Sequence, residues 1–139
     1  MRLWHKDLLP VLPRQQLLGQ WRECCLIAKT IQEKGTPNHI LINKIMDYPL
    51  DHFWSYGIEV SNELRNRGYL VNKDRFTRYF QKYTDILRRV THKDLFNLWH
   101  NDTYLLVCYY NLLEKADNGG MYDYEFELIF DLCSNKHII

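Results

Sequence analysis

From Arg14 to Cys133 the apolar residues recur every three or four positions, and no segment sustains the alternation of a half-buried strand. A repeat near 3.6 puts such residues on one face of a helix, so the pattern restricts the chain to a helical fold. A first helix is expected from Pro13 to about Lys34. Pro13 suits a helix start because it has no N–H to leave unpaired, and Gly35-Thr36-Pro37 stops it. Leu17, Trp21, Cys24 and Ala28 form its core stripe, and a short helix is expected at His39–Met46. Tyr48-Pro49 opens the next, with Leu50, Phe53, Trp54, Gly57, Ser61 and Leu64 in register. Gly68 is its natural left-handed cap, with Tyr69 and Leu70 folding back on the last turn. Asn72 caps a third expected helix bearing Phe76, Tyr79, Phe80, Tyr83, Ile86, Leu87 and Val90. After a break over Thr91–Asn101, two helices are expected at Thr103–Ala116 and Asp123–Cys133, the latter with Phe126, Ile129, Phe130 and Cys133 in register. The expectation is an all-α chain of five or six helices, a single domain over residues 1–139. Its 46% hydrophobic content is enough for a real core.

The same sequence excludes several classes. Charges interrupt every apolar run well short of the roughly 18 residues that a membrane span needs. Pro10, Pro13 and Arg14 break any signal-peptide-like stretch, so a cytoplasmic location is expected. Cys24, Cys25, Cys108 and Cys133 show neither Cys-x-x-Cys nor zinc-finger spacing and read as small buried hydrophobes. Neither a metal nor a cofactor is expected.

Net charge is only +1, but its distribution is uneven. Met1 to Lys93 holds 16 Lys and Arg against 9 Asp and Glu, a net of +7. Asp94 to Ile139 holds 2 against 8, a net of −6. Arg65, Arg67, Lys73, Arg75, Arg78, Lys82, Arg88, Arg89 and Lys93 form the densest basic stretch. A positive end of this kind meets phosphates, and Arg75, Arg78 and Lys82 are the candidate DNA contacts within it. A solvated helix face would carry the same charges.

Three features bear on chemistry. On the first helix, Gln16, Gln20 and Glu23 fall within about 60° of one another, flanked by Arg14, Gln15 and Arg22. A carboxylate among amides and guanidinium groups suits acid–base work, although exposed helix faces are ordinarily polar. The second is the N-terminus. Met1 precedes Arg2, a residue too large for methionine removal, so the amine is expected on Met1. An α-amine ordinarily titrates near 7.7–8.0 and is partly unprotonated at neutral pH, which makes it a better nucleophile than a lysine. The third is the aromatic set Trp4, Trp21, Trp54, Tyr56 and Trp99, mostly core, of which one or two could stack on a base.

Gln15-Gln16-Leu17-Leu18-Gly19-Gln20-Trp21-Arg22-Glu23 resembles the first helix of the pyrimidine-dimer DNA glycosylase (endonuclease V) family. Tyr48-Pro49-Leu50-Asp51, Ile58-Glu59 and Glu63-Leu64-Arg65-Asn66-Arg67-Gly68-Tyr69 are similar to the family's middle helix and its stop. Met1-Arg2-Leu3-Trp4 is similar to the opening of its bacterial members, and the resemblance covers about residues 1–72. It implies an endonuclease V-like helical fold. It also implies a glycosylase with AP-lyase activity that acts on double-stranded DNA carrying a damaged pyrimidine or an abasic site. In that family the N-terminal amine attacks C1′ of a flipped nucleotide. The resemblance thus makes Met1 the nucleophile and Glu23 its acid–base partner, with Arg2, Gln15 and Arg22 holding DNA. The protein is expected to act as a monomer. Two other readings are open: a non-catalytic DNA-binding protein of the same fold, and a helical interaction module whose acidic C-terminal third binds a basic partner.

Overall fold

The computed structural model describes residues 1–139, all-helical and without a strand. Five α-helices, α1 (Arg14–Lys34), α2 (Leu50–Asn66), α3 (Asp74–Thr77), α4 (Asp102–Asp117) and α5 (Asp123–Asn135), are accompanied by 3₁₀ stretches at Lys6–Val11 before α1, Asn43–Asp47 before α2 and Arg78–Tyr83 after α3. No helix is long and apolar enough to cross a membrane.

The long helices lie where the periodicity puts them. Pro13 sits one position earlier than expected, as the residue before α1, its carbonyl accepting from Leu17 N at 3.0 Å. Gly35 ends the helix at φ 77°. Gly68 (φ 91°) closes α2 in a Schellman arrangement: its N–H donates to Arg65 O at 2.9 Å, and that of Tyr69 to Leu64 O at 3.0 Å. Tyr69 folds back on the core, but Leu70 does not; it is fully exposed. On α5, Ile129 and Cys133 are buried, while Phe130 faces out.

The segment after Asn72 departs from expectation. In place of one helix to Val90 there is the single turn of α3, the 3₁₀ stretch Arg78–Tyr83 and then turns. Asn72 does accept from Asp74 N at 3.0 Å, so the local start signal is used. Beyond it, α2 competes for the backbone. Arg88 N–H donates to the Asp51 carboxylate at 2.6 Å, and Val90 N–H to Ser55 Oγ at 2.8 Å. Phe76, Phe80 and Leu87 reach the core, whereas Tyr83 and Ile86 are left exposed. The short helix expected at His39–Met46 is likewise a 3₁₀ stretch displaced to Asn43–Asp47.

Twenty-nine buried residues, from Leu3 to Cys133, make one core. The irregular segment 91–101 contributes Leu95, Phe96 and Trp99 to it. All four cysteines are free and buried, as their spacing implied. At the centre α2 presents no Cβ at Gly57, and the Phe76 ring lies directly on its backbone.

Candidate functional site

Residues 2–6 belong mostly to no regular element, yet their backbone is held at five points by side chains from distant parts of the chain. Gln20 on α1 accepts from Trp4 N at 2.7 Å and donates to Arg2 O at 3.0 Å. Tyr56 on α2 donates to Trp4 O at 2.6 Å, and Tyr104 on α4 donates to Leu3 O at 2.5 Å. Lys6 N donates to His100 Nδ1 at 3.0 Å, and Lys6 Nζ to the Lys93 and Leu95 carbonyls at 2.9 and 2.6 Å. A buried peptide group must find a partner, and here five such groups are met by side chains. Leu3 and Trp4 are buried, so the segment is anchored, while Met1 at its end is 45% exposed.

Electrostatics reinforce the anchor. Burial pushes the His100 pKa down to about 2 and that of His5 to about 4, so both rings are neutral, stacked at a centroid distance of 5.1 Å. Neutrality is required at His100, whose Nδ1 must accept from Lys6 N. Burial also raises the Tyr104 pKa well above its ordinary value and lowers that of Lys6.

Beside this segment stands Glu23. It is half-buried on α1, one turn beyond Gln20, whose Nε2 reaches Glu23 Oε2 at 3.3 Å. Gln20 therefore touches both the N-terminal backbone and the carboxylate. Arg2 leaves the segment half-buried, its guanidinium 6.0 Å from the Trp4 ring and close to the Tyr104 hydroxyl and Cys108 thiol. Arg22, next to Glu23, is exposed. Arg75 and Arg78 come within electrostatic range of Cys25, the next turn of α1, and both are exposed, with Arg78 over the Tyr79 ring at 4.9 Å. Lys82 is exposed further along the same 3₁₀ stretch.

Gln15 lies apart. It is eight residues before Glu23, about 12 Å along the helix axis at 1.5 Å per residue. There it lines a cleft of about 440 Å³ with Arg14, Gln16, Tyr122 and Tyr124. Of the aromatics singled out, Trp4, Trp21, Tyr56 and Trp99 are buried and Trp54 half-buried, so they serve packing. Not every basic residue of the dense stretch faces solvent freely. Arg67 pairs with Glu63 at 2.9 Å and donates to Leu9, Pro10 and Leu12 carbonyls, closing the first 3₁₀ stretch.

The sequence put Gln20 in line with Glu23, but gave no sign of its reach to Arg2 and Trp4. Tyr56 was legible only as one of the aromatics and Tyr104 not at all, since their partners lie 52 and 101 residues away. No group of His, Cys, Asp and Glu side chains is arranged to hold a metal ion.

The fold and this site define a small all-helical protein with an anchored N-terminal segment tied through Gln20 to a helix-borne carboxylate. A sequence model of the pyrimidine dimer DNA glycosylase family matches residues 1–77, more than half of the chain, and the protein belongs to that family. The matched span contains Met1, Arg2, Gln15, Arg22, Glu23 and Arg75. No curated protein and no solved structure matches the chain.

Proposed function

We propose that the protein is a DNA glycosylase with AP-lyase activity, acting as a monomer on duplex DNA that carries a damaged pyrimidine or an abasic site. The Met1 amine attacks C1′ of a nucleotide flipped from the stack. Its lone pair makes the C–N bond as the glycosidic bond to the base breaks, and the base departs with a proton. Loss of a proton from the amine and opening of the sugar give a Schiff base. Removal of a C2′ proton then expels the 3′ phosphate by β-elimination. Glu23 carries the proton transfers, while Arg2, Arg22, Gln15, Arg75, Arg78 and Lys82 hold the DNA.

The observation that carries the reading is the anchoring of residues 2–6, which leaves an exposed Met1 at the end of a fixed segment tied through Gln20 to Glu23. Holding a nucleophile and an acid–base group in fixed relation is what such a reaction needs. Family membership supports it independently. Lys6, the nearest lysine in sequence, is engaged with two carbonyls and is not the nucleophile.

The test is borohydride trapping on an abasic duplex. The native chain forms a covalent adduct and the N-acetylated chain forms none, because an amide nitrogen makes no imine. Glu23→Gln binds duplex normally but loses turnover by about 10²-fold or more, the usual cost of removing a positioned acid–base group. An adduct from acetylated protein refutes the nucleophile. Salt-sensitive duplex binding with no adduct from the native chain identifies a DNA-binding protein without catalysis.

A further inference from the structure

We propose that Gln20 is a positioning residue for this reaction, a splint that sets the N-terminal amine and the Glu23 carboxylate in register. The proposal rests on the assignment of Met1 and Glu23 as the reacting pair. Gln20 is 1% exposed, and its amide accepts one hydrogen bond and uses both of its donors. Oε1 accepts from Trp4 N at 2.7 Å; Nε2 donates to Arg2 O at 3.0 Å and Glu23 Oε2 at 3.3 Å, and the Tyr56 hydroxyl, whose one proton goes to Trp4 O at 2.6 Å, packs 3.0 Å from Oε1.

The amide has one workable orientation. Trp4 N–H is a donor only, so it must meet Oε1, and Nε2 is left facing a carbonyl and a carboxylate, both acceptors. The reverse orientation would set Nε2 against the Trp4 N–H and Oε1 against two acceptors. Because Arg2 O lies one residue from the amine, a rotation of the amide that shifts Glu23 also shifts the nucleophile. The amide also engages one carboxylate oxygen, leaving the other for the proton in flight. A glutamine that only filled core space would need none of the contact to Glu23.

Two variants of the full chain separate positioning from packing. Gln20→Met keeps length and helix propensity but removes every polar atom. Gln20→Glu keeps the acceptor for Trp4 N and replaces the donor by a second carboxylate. Two carboxylates so close share a proton or repel. With Gln20→Met, trapping on abasic duplex is expected to slow tenfold or more while duplex affinity stays within twofold. With Gln20→Glu, the acidic limb of the pH–rate profile is expected to move up by about one unit. Without DNA, the Trp4 amide should exchange its hydrogen at least tenfold faster in Gln20→Met and at the native rate in Gln20→Glu.

If both variants fold and trap at the native rate with the native profile, Gln20 only packs and the proposal falls. Should Gln20→Met fail to fold, the profile of Gln20→Glu decides alone, and an unmoved acidic limb overturns the idea. A native chain that never traps refutes the function instead. Amide exchange then judges the splint by itself: faster exchange at Trp4 in Gln20→Met upholds it and unchanged exchange removes it.

Discussion

Replacing Gly57 by alanine sets helix propensity against packing at the centre of the molecule. In an unobstructed helix interior the change gains about 1 kcal/mol. Here the new Cβ would stand 2.2, 2.5 and 2.8 Å from three carbons of the Phe76 ring, where ordinary contact begins at 3.4 Å. The ring would have to withdraw by about 1.2 Å, the difference between 3.4 and 2.2 Å. It has no space to do so. Phe76 is fully buried, with ring centroids of Phe80, Phe53 and Trp21 at 4.8, 5.5 and 5.7 Å. Overpacking a tight core costs about 1–3 kcal/mol, and three simultaneous clashes belong at the top of that range. Less the propensity gain, the net loss is about 2 kcal/mol, or about 6–8 °C in Tm for a chain of this size. Thermal unfolding followed by circular dichroism measures it. Combining Gly57→Ala with Phe76→Leu, which shortens the opposing side chain, should recover at least about 1 kcal/mol relative to the sum of the single changes. A Gly57→Ala protein that melts higher than the native one would refute the close approach of the Phe76 ring and the cost that follows from it.

Two histidine groups give opposite pH dependences. His92 contacts Glu59 at 2.6 Å and Asp7 at 2.7 Å through its two ring nitrogens. Burial opposes its charge, but these hydrogen bonds outweigh it and raise the pKa. Its contribution is full below the ordinary value of 6.5 and is lost as pH rises through the folded value. The urea midpoint of the native protein should therefore fall from pH 6 to pH 9 more than that of His92→Gln; equal slopes would dismiss the clasp. His100, with its pKa depressed by burial to about 2, contributes stability above pH 6.5 that declines as the unfolded chain takes up its proton. Between pH 6.5 and 4 the native midpoint should fall more steeply than that of His100→Gln, and parallel curves would mean that the ring is charged in the fold. Changing Arg75, Arg78 and Lys82 to Glu should weaken duplex binding and flatten the plot of log affinity against log salt by about 0.9 for each phosphate no longer neutralised. An unchanged slope places α3 and the 3₁₀ stretch Arg78–Tyr83 off the DNA.

Local pattern carried the four long helices, because each needs only an apolar stripe and end signals within its own span. Gly35 and Gly68 take positive φ where the sequence stops α1 and α2. The uneven charge and the alignment of Gln20 with Glu23 were equally legible, since both follow from residue order and a 100° turn per residue. The stretch after Asn72 shows where local pattern fails. Its stripe from Phe76 to Val90 suits a helix, but Asp51 and Ser55 capture the backbone of Arg88 and Val90 across 37 and 35 positions. Propensity is worth tenths of a kcal/mol per residue, and a charged or buried hydrogen bond outweighs it.

The candidate site divides the same way. The sequence alone supplied the groups of the proposed reaction: the amine assigned to Met1, the carboxylate of Glu23 and arginines beside both in sequence. Only the tertiary structure decided that residues 2–6 are tied down by side chains from elsewhere in the chain. That segment has no helix or strand ladder to hold most of it, so its peptide groups are satisfied by Gln20, Tyr56, His100 and Tyr104 from 16 to 101 residues away. No periodicity encodes such contacts, because they depend on where three separate helices and an irregular segment come to rest against one another.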